Sequence, residues 1–269
     1  MRRIDSHVHI FPEKVAPKAT QKLTIPGVHH PHYDGTLAGL LASMDTFDIE
    51  QSWALPVATS ASQVESINNF VEAIDTPRIV KFGAIHPDVE NAYATLARFK
   101  ERGFVGFKMH PDYQLVAPDD PRMEPIWQAA VDFELIAYFH AGDDMLPRTR
   151  LGQPRIFAEC LDKYPGVHLA LAHFGGFAMW DDVEEFLIGR DVWLDTAYTL
   201  SHLDHTRFVD MARRHGFNRV MYGTDGPWTD PARDLAWFEE FGLTEQEKEY
   251  LFAKSSDELL EAAGFSVAK

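Results

Sequence analysis

The sequence predicts a single-domain (β/α)8 TIM barrel, an α/β fold of eight parallel strands each followed by a helix. Three observations predict it. Short runs rich in β-branched and aromatic residues alternate along the chain with longer stretches of helical period. Roughly eight such runs are present, the number a closed barrel requires, and the 269 residues lie near its typical length of ~250. Neither GxGxxG nor GxxxxGKS/T occurs, so a doubly wound nucleotide-binding sheet lacks its phosphate loop.

The strand candidates are residues 4–10, 51–57, 79–85, 104–110, 135–140, 167–173, 191–196 and 219–224. Between them, 36–47 carries apolar residues at helical spacing, with Thr36 or Asp34 placed to cap its start. Residues 91–102 read as a helix stopped by Gly103. Residues 125–133, 154–164, 180–187 and 206–215 fill the same role, and 245–263 form a closing helical region. The irregular stretch is 11–34, which carries Pro12, Pro17, Pro26 and Pro31. Loops of that length after a barrel strand are usually functional. It reads as a lid-like insertion with a short helix near 13–23.

Composition narrows the function. Basic residues number 25 and acidic residues 41, for a net charge of −16. Nucleic acid and anionic membranes would be repelled by that excess. The single cysteine, Cys160, cannot form an intrachain disulfide and falls in an apolar helix. No apolar run approaches the ~20 residues of a membrane span, and the N-terminus lacks a signal-peptide stretch. These features predict a cytoplasmic protein whose partner is a small-molecule substrate, with homo-oligomers left open.

The unusual entry is 13 histidines. His7 and His9 sit two apart on strand 1 and so share a face. Lys108 and His110 share a face of strand 4. His140 ends strand 5, His173 ends strand 6, and Asp225 follows strand 8. In a closed barrel those ends converge on one mouth, where barrel active sites sit. Imidazole and carboxylate together suit Zn²⁺ and related metals, with a coordination position left open to water or substrate. His7 and His9 would clamp one side, His140 would reach across, and Asp225 would supply a carboxylate. His173 would polarise a substrate oxygen or move a proton. Asp5, on the same predicted face, would accept a ligand imidazole N–H and orient it.

These residues carry a family resemblance. Asp5-Ser6-His7-Val8-His9 resembles the first-strand HxH motif of the amidohydrolase superfamily, and His140, His173 and Asp225 match its later positions in order. Ala172-His173-Phe174-Gly175-Gly176 and Gly223-Thr224-Asp225-Gly226-Pro227-Trp228 resemble the amidohydrolase-related branch (amidohydrolase family 2), which includes the aminocarboxymuconate-semialdehyde decarboxylase type.

The resemblance implies one divalent metal, Zn²⁺ first, on His7, His9, His140 and Asp225. His173 becomes catalytic, and Asp225 also takes a proton from activated water. A carbamylated Lys108 would instead bridge two metals, as in binuclear members. His110 two residues later favours a one-metal site with Lys108 and His110 facing substrate.

Arg148 and Trp228 join the substrate-binding set, and Asp143 and Arg150 share the loop with Arg148. The implied activity is hydrolysis of an amide, lactone or ester bond in a small polar or carboxylated metabolite. The alternative is non-oxidative decarboxylation of an aromatic or muconate-type acid. His29, His30 and His32 read as a solvated loop cluster, with substrate contact on lid closure as their functional alternative. His86 reads equally as a strand terminator.

Overall fold

Eight parallel strands pair in sequence order, β1 (Ile4–Val8), β2 (Gln51–Ala54), β3 (Ile79–Ala84), β4 (Gly106–Met109), β5 (Ile136–Phe139), β6 (His168–Leu171), β7 (Trp193–Asp195) and β8 (Val220–Met221). The seam between the last and first strands closes through Ser6 N donating to Tyr222 O at 2.8 Å and Asp225 N donating to His7 O at 2.9 Å. The fold is therefore the expected (β/α)8 barrel. The computed structural model describes residues 1–25, 30–145 and 149–267, so His29 and Arg148 lie outside the described residues. Among the described residues, no helix is long and apolar enough to cross a membrane.

The helices are α1 (Ala16–Leu23), α2 (Leu37–Thr46), α3 (Val64–Glu72), α4 (Ala92–Ala97), α5 (Pro111–Gln114), α6 (Glu124–Asp132), α7 (Pro154–Lys163), α8 (Trp180–Phe186), α9 (His205–His215), α10 (Pro231–Glu240), α11 (Glu245–Glu249) and α12 (Ser255–Ala262). Thr36 caps α2 by accepting from Gly39 N at 3.0 Å, while Asp34 accepts from Thr36 N at 2.9 Å. The two alternative caps thus act together.

Four stretches differ from expectation. Helix α4 stops at Ala97. The chain then tightens into three-residue turns that bury Phe99 against Phe104, with ring centroids 5.0 Å apart. The closing region is broken by a π-turn over Tyr250–Lys254. Helices α3 and α10 were not expected. In α3, polar Ser66, Asn68 and Asn69 blur the helical period, yet Asn68 is buried and straps the helix to β3. Its side chain accepts from Ala84 N at 2.7 Å and donates to Ala84 O at 3.0 Å.

The barrel interior is plugged by aromatics. Trp53, Phe82 and Tyr138 are buried together, with Trp53–Phe82 centroids 5.4 Å and Phe82–Tyr138 centroids 5.7 Å apart. Tyr138 meets His7 edge-on at 5.7 Å, so this plug forms the base beneath the polar mouth. Strand β1 departs from strict alternation, because its register against β2 shifts between Asp5 and Val8. Such irregularities re-aim side chains near active sites. Gly142, just past β5, has φ +89°, and a Cβ there would lie 2.1 Å from Phe177 N. Only glycine lets the loops after β5 and β6 close together at that point.

One buried charge in α10 makes a test of stability. Asp234 is 2% exposed, and its Oδ1 lies 3.5 Å from Arg233 Nε, too far for a strong hydrogen bond. Burial pushes its carboxyl up to about 7, against weaker help from Arg233. A raised folded pKa contributes stability at low pH that is lost as pH rises toward 7. Asp234→Asn removes that titration. Its advantage over the wild type therefore grows between pH 5 and pH 8, by up to about 3 kcal/mol at 1.36 kcal/mol per unit. Urea unfolding at the two pH values checks this, and an equal difference at both would refute it.

Candidate active site

The mouth is built from residues at or just past the strand ends. His7 lies on β1 with His9 one residue past it, His140 follows β5, His173 opens the turn after β6, and Asp225 lies in the turn after β8. Two of these positions hold left-handed backbone, with φ 59° at His173 and φ 60° at Asp225. Such conformations cost of order 1–3 kcal/mol each and cluster at functional sites.

His7 is the centre of the arrangement. Its Nδ1 donates to Asp195 Oδ2 at 2.7 Å. The neutral ring then presents Nε2 as a lone pair. That nitrogen lies 3.2 Å from His9 Nε2 and 3.3 Å from Asp225 Oδ1, while His9 Nε2 lies 3.1 Å from the same oxygen. Burial, then Lys108, hold the His7 pKa well below the ordinary histidine value, so its ring stays neutral. Burial pushes Asp225 up, but the hydrogen bond from His9 and the facing His7, His9 and His173 rings outweigh it and lower the carboxyl to about 2. Two imidazoles and a carboxylate thus face one another, with all their ligand atoms within 4.8 Å. This donor set fits a divalent cation.

His140 is not part of that group. Its ring stacks on His110 at 3.9 Å, and His110, His140 and Asp144 form a second candidate metal-holding cluster. His110 Nε2 lies 3.0 Å from Asp144 Oδ2. Burial lowers the pKa of both His110 and His140 well below the ordinary range. His173 joins the two halves. Its Nδ1 donates to Ala197 O at 2.8 Å, and its Nε2 lies 2.9 Å from His140 Nδ1.

Lys108 is buried between the halves, with Nζ 3.5 Å from His7 Nε2 and 4.7 Å from the centre of the Tyr138 ring. Burial draws its pKa down to about 8, although Asp195 and Asp225 oppose that.

Asp5 requires a correction. It was expected to receive a ligand imidazole, but the register shift in β1 breaks the shared face. Its carboxylate instead accepts from Thr224 Oγ1 at 2.6 Å, Thr224 N at 2.9 Å and His7 N at 3.2 Å. It ties the ends of the first and last strands together. Asp195, which sequence reasoning missed, takes the imidazole. The available signal was its place at the end of the seventh strand, in Trp193-Leu194-Asp195-Thr196.

The mouth opens into a cavity of about 640 Å³ lined by His7, His9, Lys108, His110, His140, His173, Asp225 and Trp228 among others. Among the described residues, every proposed site residue other than Asp5 therefore faces one space. Arg150 does not line it and pairs with Asp143 at 2.9 Å. His30 and His32 stack on one another at 5.5 Å and also lie outside it, as does His86, which accepts from Asp88 N.

A parallel barrel with clustered imidazole and carboxylate groups at its C-terminal mouth defines a class of metal-site enzymes. The amidohydrolase profile matches residues 4–261, and the chain belongs to that family. Members of the family are enzymes, either hydrolases or decarboxylases. No curated protein matches the chain.

Among solved structures, a TIM-barrel protein of unassigned function from Bordetella bronchiseptica is similar with a TM-score of 0.75 and 16% identity, over 98% of this chain and 100% of that one. A dihydroxybenzoic acid decarboxylase from Polaromonas sp. JS666, with bound manganese and the inhibitor 2-nitroresorcinol, is similar with a TM-score of 0.71 and 16% identity over 97% of each chain. A candidate 2-pyrone-4,6-dicarboxylic acid hydrolase from Pseudomonas putida is similar with a TM-score of 0.68 and 19% identity, over 97% of this chain and 98% of that one. At these identities the likeness concerns the fold.

Proposed function

We propose that the protein is a metal-dependent hydrolase that cleaves an amide, lactone or ester bond of a small carboxylated molecule. His7, His9 and Asp225 would hold the divalent cation, with zinc the first candidate for two imidazoles and a carboxylate. When bound, such an ion acidifies water and polarises a carbonyl oxygen.

The observation that carries the hydrolase reading is the presence of two proton-handling groups beside His7. Asp225 is held as a carboxylate 3.3 Å from His7 Nε2, and His173 packs with its ring centre 5.5 Å from that of His7. Hydrolysis needs both a base for water and an acid for the leaving group. Asp225 takes the proton from water. His173, its Nδ1 committed to Ala197 O, would protonate the leaving group from Nε2, which draws that proton from His140 Nδ1 2.9 Å away, and the proton that Asp225 takes from water restores the set. Lys108 and His110 face the substrate, and a carboxylate there gains from the buried ammonium. The molecule's overall acidity does not oppose this, because the mouth has its own local charge.

A substrate panel tests the reading. Metal-loaded protein, with about one divalent ion per chain by elemental analysis, is expected to hydrolyse members of an ester, lactone and amide panel. Release of CO2 from aromatic or muconate-type acids, with no hydrolysis anywhere in the panel, would overturn it in favour of a decarboxylase. Close to two ions per chain would favour a two-metal site, with the second ion on His110, His140 and Asp144 or bridged by a carbamylated Lys108.

A further inference from the structure

The cavity has two unlike halves. Its floor is the polar cluster described above. Its outer wall comes from α1 with its flanks and from α3. Helix α1 turns Ala16 and Thr20 into the protein, and Val15, Ala19 and Leu23, spaced by four, line the cavity. Helix α3 sends Val64, Asn68 and Val71 inward and lines the cavity with Ile67 and Phe70. Val15 stays 48% exposed, one of three large apolar side chains so exposed among the described residues. Lys22, Gln63 and Ser66 of the same segments are exposed polar residues on the cavity lining. Apolar side chains at helical spacing normally face a core. Here Val15, Ala19 and Leu23 face a space continuous with the polar floor, and Ile67 and Phe70 are half-buried between that space and the core.

We infer that the substrate is amphipathic, with its carboxylate and scissile bond on the polar floor and an apolar tail lying between α1 and α3. The inference deepens the hydrolase reading and rests on the same mouth. The cavity volume of about 640 Å³ falls within the ~300–1,000 Å³ of sites that enclose drug-sized ligands. A compact polar metabolite would leave the outer wall wet. A tail of several methylenes would remove that apolar surface from water, at up to about fourfold in affinity per buried methylene.

Calorimetric titration of the metal-loaded protein with acetate, butyrate, hexanoate and octanoate tests this without any need for turnover. Affinity is expected to rise about two- to fourfold per added methylene. Val15→Asp and Ile67→Asp are each expected to flatten that rise. Val15 is exposed, so its variant keeps the test valid if the α3 variant fails to fold. Octanoate binding no more tightly than acetate would overturn the inference, as would an undiminished rise in a folded Val15→Asp variant. The two readings fail separately. Chain-length-dependent binding with no hydrolysis removes the hydrolase and keeps the tail subsite. Hydrolysis with flat binding does the reverse.

Discussion

Asp225→Asn is expected to lower turnover by about 10³-fold while the protein stays folded. The fold survives because the substitution suits the backbone. Asp225 sits at φ 60°, a left-handed conformation that Asn accepts as readily as Asp. Its backbone N–H, which closes the barrel seam by donating to His7 O, is untouched.

What changes is the charge. Oδ1 lies 3.3 Å from His7 Nε2 and 3.1 Å from His9 Nε2, and the carboxyl is held near 2, fully ionised at neutral pH. An amide supplies neither the anion that completes the donor set nor a base for water. The measurement is kcat on the best substrate of the hydrolysis panel, with circular dichroism for the fold and elemental analysis for metal. Full activity would remove Asp225 from the mechanism. Lost metal with a normal fold would place its main effect on binding the ion rather than on the proton.

The convergence at the mouth was legible in sequence for a simple reason. His7, Lys108, His140, His173 and Asp225 lie at or just after runs of strand character, and a closed barrel brings strand ends together whatever the loops do. Which neighbour each group meets was not legible. His140 was expected beside His7 and His9, but its ring lies flat on His110. Position along a strand sets depth in the mouth. Partner choice depends on ring torsions and on the neighbouring loop, where Asp144 engages His110.

Asp5 shows a second limit. Alternation put its side chain with His7, and one register shift in β1 turned it to Thr224 instead. Irregularities of a single residue leave no periodic trace. Helix α3 shows a third. Buried Asn68 breaks the apolar pattern, because its amide is satisfied by β3 rather than by water.

Asp195→Asn is expected to weaken metal binding by about 10- to 100-fold, the usual cost of losing the group that orients a ligand imidazole. The carboxylate is fully buried and accepts four hydrogen bonds. Oδ2 receives His7 Nδ1 at 2.7 Å and the Tyr138 hydroxyl at 2.5 Å. Oδ1 receives His173 N at 2.8 Å and Ala197 N at 2.9 Å. All four partners present hydrogens, so an amide NH2 at either oxygen position faces donors. If it replaces Oδ2, His7 is released to carry its proton on Nε2, where the cation must bind. If it replaces Oδ1, the strained turn at His173 loses its anchor.

Asp195 is thus a positioning residue for both halves of the site, and the metal Kd reads that role more directly than activity does. Chelator competition on folded protein measures it. Tyr138→Phe supplies the comparison, since it removes one bond to Oδ2 and leaves the His7 contact in place. Its expected effect on metal affinity is under about tenfold. Unchanged metal affinity in folded Asp195→Asn would show that the His7 tautomer is set by something other than this carboxylate. A loss confined to stability, about 1–3 kcal/mol for the unmet donors, would reduce Asp195 to a packing role.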